Sequence, residues 1–172
     1  MDILRGCCNH DEQRMNLILQ AGANFLLYEK KCDIISMERG LYDYLGRPDL
    51  LGVTRDRKLI EVEIKRSFSD FKANFEKRII ERYRDNPRIA PHYFYFLITN
   101  DIEEKVMAFS REEKHTGYGI LVEDRKYIRA NNIRKAVQNK EARKLSVKEM
   151  ITMVRNQSKT LLEEWKRVDI KS

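Results

Sequence analysis

Apolar and polar positions alternate through Leu59-Ile60-Glu61-Val62-Glu63-Ile64-Lys65, where Ile60, Val62 and Ile64 recur at every second residue. A period of two marks a strand with one apolar face, and it collects Glu61, Glu63 and Lys65 on the other. Just before it, Asp49 opens a second apolar run. The polar link Thr54-Arg55-Asp56-Arg57-Lys58 is short enough to fold the two runs into a hairpin. Such a turn carries Asp49 back beside Glu63 and Lys65.

Elsewhere the pattern takes a helical period. Asn9 followed by Glu12 predicts a helix start, with Met15, Ile18, Leu19 and Ala21 as the apolar stripe and Gly22 as the stop. Leu26 to Met37 reads as a strand or strand pair centred on Ile34 and Ile35. Ser67 or Ser69 caps a helix whose Phe68, Phe71, Phe75, Ile79 and Tyr83 recur at three and four residues, a core stripe. Its other face carries Lys72, Lys77, Arg78, Arg82 and Arg84. After the breaks at Asp85-Asn86-Pro87 and Ala90-Pro91, Tyr93 to Ile98 is a continuous apolar strand of the kind buried on both faces. A helix followed by such a strand implies a crossover and a mixed sheet.

Asn100 to Phe109 predicts a short helix with Asn100 and Glu103 as a capping pair. Gly119 to Glu123 and Lys126 to Arg129 predict a strand pair at the sheet edge. Ser146-Val147-Lys148-Glu149 is a capping box with Leu145 and Met150 as its staple, opening a long helix with Met150, Ile151, Val154, Leu161, Leu162 and Trp165 as its stripe. That stripe can pack on the sheet or against a second copy, a possible homodimer. The expected architecture is one α/β domain: a core over residues 1–139, then a basic tract and amphipathic helix over 140–172 packed on the same domain.

Charge sharpens this picture. Lys and Arg outnumber Asp and Glu by 34 to 27, a formal charge of +7 that favours polyanionic partners. Arg125 to Lys148 holds nine basic residues against Glu141 alone. Arg129, Arg134, Lys135 and Lys144 of this tract, with Lys72, are the candidate DNA contacts, each phosphate contact releasing counterions. Tyr42 and Tyr44, in a glycine-bearing loop, are candidate stacking residues or ordinary packing. Cys7, Cys8 and Cys32 form no even framework and no zinc spacing, which points to a reducing, cytoplasmic setting. No apolar stretch approaches the ~20 residues that span a bilayer, so no membrane role is expected.

Carboxylates are hard ligands suited to Mg²⁺ or Mn²⁺, which keep several waters and take remaining oxygens from a substrate phosphate. Asp49 and Glu63 fit that chemistry, and Lys65, two residues along the same face, can orient or deprotonate an attacking water. Pro48-Asp49 followed by Glu63-Ile64-Lys65 resembles the PD-(D/E)XK nuclease superfamily. Residues 28–136, including Lys65-Arg66-Ser67-Phe68, Tyr93–Ile98 and Thr116–Val122, are similar to its MmcB-like branch, associated with DNA repair. An Arg-Pro-Asp strand followed by a Glu-x-Lys strand is also similar to Holliday-junction resolvases. The resemblance implies a restriction-endonuclease-like mixed sheet flanked by helices and a metal-dependent nuclease acting on DNA. It implies Asp49, Glu63 and the Ile64 carbonyl as metal ligands, Lys65 as the catalytic lysine and Glu12 as a further ligand. Glu12 equally reads as a helix cap. The alternative is a nucleic-acid-binding or assembly module that keeps the fold without cutting.

Overall fold

A computed structural model describes residues 10–37, 48–75, 87–112 and 117–169, with 10–12, 74 and 160–169 as helix backbone. Among these residues six strands form one mixed sheet in chain order: β1 (Cys32–Met37), β2 (Leu50–Thr54), β3 (Leu59–Lys65), β4 (Tyr93–Ile98), β5 (Gly119–Asp124) and β6 (Arg129–Arg134). The β1–β2, β2–β3 and β5–β6 pairs are antiparallel, whereas β3, β4 and β5 run parallel. Among the described residues four α-helices flank the sheet: α1 (His10–Asn24), α2 (Phe68–Phe75), α3 (Glu103–Glu112) and α4 (Val147–Asp169). The mixed α/β sheet and long C-terminal helix are as the sequence pattern implied. No helix among the described residues is long and apolar enough to cross a membrane.

Period two sorts the side chains into two layers. On one face Leu50, Ile60, Val62, Ile64, Tyr95, Leu97 and Leu121 pack with Ile18, Phe25 and Leu26 from α1 and the turn after it. On the other, Phe94, Phe96, Ile98, Ile120 and Val122 meet Phe71 and Phe75 of α2 and Val106 of α3. Beside that aromatic cluster, Leu51, Val53 and Leu59 receive Leu145 and Met153 at α4. Phe71 sits edge-on to Phe96 with ring centroids 4.8 Å apart, a favourable aromatic geometry in a cluster where each ring also removes apolar area from water.

Several local expectations need correction. Gly22 does not end α1, which runs on to Asn24 and continues as a π-helical turn over Phe25–Glu29. A Cβ at Gly22 would collide with Leu50 and stand 3.0 Å from Leu97, so the glycine serves close approach of helix to sheet. The strand expected from Leu26 accordingly begins only at Cys32, after Lys31 turns the chain with a φ of 54°. The second edge strand starts at Arg129 rather than Lys126. In place of an Asn100–Glu103 cap, a 3₁₀ turn (Asn100–Ile102) with no side-chain cap leads into α3.

The capping boxes fare differently. Ser146 Oγ accepts from Glu149 N–H at 3.3 Å while the Glu149 carboxylate accepts from Ser146 N–H at 2.7 Å, and Leu145 and Met150 join the same cluster. The stripe of α4 is displaced, however: Met150 and Met153 turn inward, and Ile151 and Val154 face outward. Ile79, Tyr83, Lys77, Arg78, Arg82, Arg84, Tyr42, Tyr44, Cys7 and Cys8 lie outside the described residues, as do the side chains of Leu161, Leu162 and Trp165. Cys32 is buried beside Leu26 and Gly52, and burial pushes its thiol up to about 12.

Candidate active site

The hairpin delivers the acids as the alternation requires. Leu50 pairs with Val62 and Leu51 with Glu61, so the same register continued by one residue sets Asp49 opposite Glu63. Asp49 is fastened there by its own carboxylate, whose Oδ2 accepts from the Ile64 N–H at 2.7 Å. In the parallel pair on the other side, Glu61, Glu63 and Lys65 stand level with Phe94, Phe96 and Ile98. The acid row therefore runs along the seam between the aromatic cluster under α2 and α3 and the aliphatic cluster under α4.

This row is not a solvated face. Glu61, Glu63 and Lys65 are only 0%, 2% and 5% exposed, and all seven residues of β3 are buried. Buried charges are costly unless paired. Lys65 Nζ lies 3.5 Å from Glu63 Oε2 and 3.5 Å from Asp70 Oδ2, bridging a strand carboxylate to one from the first turn of α2. Asp70 is placed by Ser67, whose Oγ accepts from the Asp70 N–H at 3.2 Å and so caps that helix.

At this carboxyl end of β3 opens a cleft of about 400 Å³ lined by Arg14, Met15, Leu19, Asp49, Ile64, Arg66, Ser67 and Asp70. Asp49 and Ile64 face it directly. Glu63 and Lys65 are not lining residues, and Lys65 reaches the cleft through Asp70. Arg14 donates to Asp101 Oδ1 at 3.2 Å, yet its Nε is buried without a hydrogen bond among the described residues. Two guanidinium groups and two carboxylates thus share one concavity, a mix suited to a phosphate ester and a cation together.

Glu12 belongs to α1, but its side chain lies outside the described residues. Among the described residues no group of three or more His, Cys, Asp and Glu side chains is arranged to hold a metal. The continued register sets two carboxylates, Asp49 and Glu63, opposite each other across the β2–β3 pair. Such a set fits Mg²⁺, which is usually bound through one or two carboxylates with water and substrate oxygens completing its shell.

The candidate DNA contacts divide between opposite ends of the sheet. Lys72, exposed on α2, and Arg129, which pairs with Asp124 at 3.1 Å, stand toward the carboxyl ends of the parallel strands, as the cleft does. Arg134 lies 4.3 Å over the Tyr118 ring and pairs in register with Ile120, at the amino end of β5, and Lys135 follows it. Lys144 precedes Leu145, whose N–H donates to the Arg57 carbonyl in the β2–β3 turn, again at the far end. The tract is therefore ordered, and most of it is remote from the acids.

Asp70, Arg14 and Arg66 were not singled out from sequence as site residues, and Ser67 was singled out only as a helix cap. Only the Ser67-x-x-Asp70 spacing, a helix-start signal, bore on them.

No family model and no curated relative matches the chain. Among solved structures, the SPO1766 protein of unknown function from Silicibacter pomeroyi is similar, with a TM-score of 0.53 at 16% identity over 88% of each chain. That likeness is one of fold.

Proposed function

We propose that the chain is a divalent-metal-dependent nuclease of the PD-(D/E)XK type, hydrolysing DNA phosphodiester bonds in repair, recombination or processing. One observation carries the reading: a buried lysine 3.5 Å from Glu63, on the strand that also anchors Asp49 through the Ile64 amide, at the lip of a cleft lined by Arg14 and Arg66. A surface strand has no use for charges set this deep, and a nuclease does.

In this reading Asp49, Glu63 and the Ile64 carbonyl would hold Mg²⁺ or Mn²⁺, with Glu12 as a fourth donor. Bound there, the cation supplies positive charge to a scissile phosphate and acidifies water beside it. Lys65 positions the attacking water. Asp70 shares the lysine with Glu63 and steadies its ammonium group at the cleft. Arg14 and Arg66 offer their guanidinium groups to the phosphate oxygens. The restriction-endonuclease-like fold and the likeness to MmcB-like proteins belong to the same proposal.

A panel of labelled linear, nicked, branched and single-stranded substrates in Mg²⁺ or Mn²⁺ tests it. Cleavage that disappears in Asp49→Ala and Lys65→Ala supports the assignment. A non-cleaving nucleic-acid-binding module is the second reading, favoured by the depth of Glu63 and the separation of most basic residues from the cleft. It expects retention of DNA with no metal-dependent product on any substrate.

A further inference from the structure

The amino ends of β3, β4 and β5 form an edge that the candidate chemistry does not use. The β2–β3 turn (residues 55–58) meets the coil after β6 there. Leu145 N–H donates to the Arg57 carbonyl at 3.1 Å, Asn139 N–H to the His92 carbonyl at 2.8 Å and Arg143 N–H to the Arg88 carbonyl at 3.0 Å. Asn139 Nδ2 adds a bond to the Pro87 carbonyl at 2.8 Å, so three separate segments are stitched into one surface. Arg57 holds a left-handed φ of 66° in that turn, a conformation that the surrounding bonds must stabilise.

Acids at this edge are spoken for. Asp56 pairs with Lys58 at 2.9 Å and, held also by the Thr54 hydroxyl, stays ionised; Asp33 sits 3.7 Å from Arg55; Glu149 takes Arg143 at 2.6 Å. Arg57, Arg88, Lys135, Lys140, Lys144 and Lys148 are exposed and make no ion pair among the described residues, against Glu141 alone. An ordered array with such an excess of unpaired cations raises the local concentration of polyanions.

We propose that this edge is a second binding surface, separate from the cleft, which grips the phosphate backbone of duplex DNA. Six residue steps of β3 part the two regions, about 20 Å. Resting on the nuclease reading, the substrate class follows: duplexes long enough to occupy edge and cleft together, about six base pairs at the least. An acidic protein is the competing occupant.

The decisive variant is Lys140→Gln/Lys144→Gln/Lys148→Gln, three exposed changes, compared with the unaltered chain on a duplex of about 40 base pairs in EDTA, from about 50 to 200 mM salt. Because no cutting occurs in EDTA, this arm is independent of the nuclease reading. The slope of log affinity against log salt is expected to flatten by about 2 to 3, with the thermal midpoint unchanged. An unchanged slope, no DNA binding by the unaltered chain, or displacement of bound chain by polyglutamate but not by unlabelled duplex would each overturn the proposal. In Mg²⁺ the triple variant is expected to raise KM on the long duplex and leave kcat alone. Absence of cleavage with a flattened EDTA slope would sink the nuclease reading and keep this surface.

Discussion

The two ends of β3 handle charge in opposite ways. At the carboxyl end Glu63 and Lys65 are buried, tied to each other, to Asp70 and to a strand register that aligns Asp49. At the amino end Arg57, Lys140 and Lys144 are displayed on turns and coil, facing water. Taking an ion out of water costs several kcal/mol, so the first arrangement persists only where its neighbours specify it. Exposed cations incur no such penalty and act at a distance, within a Debye length of about 8 Å at physiological salt. In the proposed reading, chemistry is concentrated at one pole and attraction at the other.

The largest expected effect is at the acid pole. Asp49→Ala is expected to lower Mg²⁺-dependent cleavage by more than about a hundredfold, since even outer partners of a metal site cost 10- to 100-fold. DNA retention in EDTA should survive. An equal loss of both activities would mean that the two poles do not act separately, and a wild-type rate would remove Asp49 from the chemistry.

Leu145→Ala comes next, at the basic pole. Leu145 fastens the coil to Leu51, Val53 and Leu59, and its truncation should cost about 2–5 kcal/mol in denaturant unfolding. The same variant should weaken DNA retention as the coil loosens. A loss under about 1 kcal/mol would show that the coil is held by its backbone bonds rather than by this side chain.

Ser146→Ala removes the cap of α4 and should lower stability by about 1 kcal/mol with cleavage intact. A larger fall in unfolding free energy, or any change in kcat, would contradict so local a role.

The pH response of His92 is the mildest. Its Nδ1 accepts from Leu59 N–H at 3.1 Å, and burial, then Lys58, lowers its pKa. Folding is therefore opposed by protonation. Stability should be level above the ordinary value near 6.5 and fall as pH drops below it towards the depressed native value. His92→Gln should remove that slope, and an unaltered slope in the variant would assign it to another group.

The hairpin and β4 were readable because their signals are local: a strict period of two in Leu59–Lys65, and an unbroken apolar run in Tyr93–Ile98. Asp49 facing Glu63 followed from the same arithmetic. β6 escaped because Arg129–Arg134 is an edge strand with a single buried residue, Ala130, and so carries no alternation. Gly22 misled because a close approach and a helix stop call for the same residue. Asp70 and Arg14 come to the cleft from helices distant in sequence, and nothing in their own neighbourhoods marks that meeting. Proximity of the basic tract to the acids could not be read either, since Arg129 and Arg134 belong to one strand and end at opposite poles.

The parallel arrangement of β3, β4 and β5 has a further consequence for how the chain acquires its shape. β3 ends at Lys65 and its partner begins only at Tyr93, while β5 waits until Gly119. During synthesis the antiparallel hairpin of β2 and β3 can close early, but its acid-bearing strand stays unprotected on one side until some thirty further residues emerge. Glu61 and Glu63 discourage neighbouring nascent chains from pairing with that open flank. Glu63, one of the carboxylates proposed for catalysis, would thus also guard the chain before there is a site to serve.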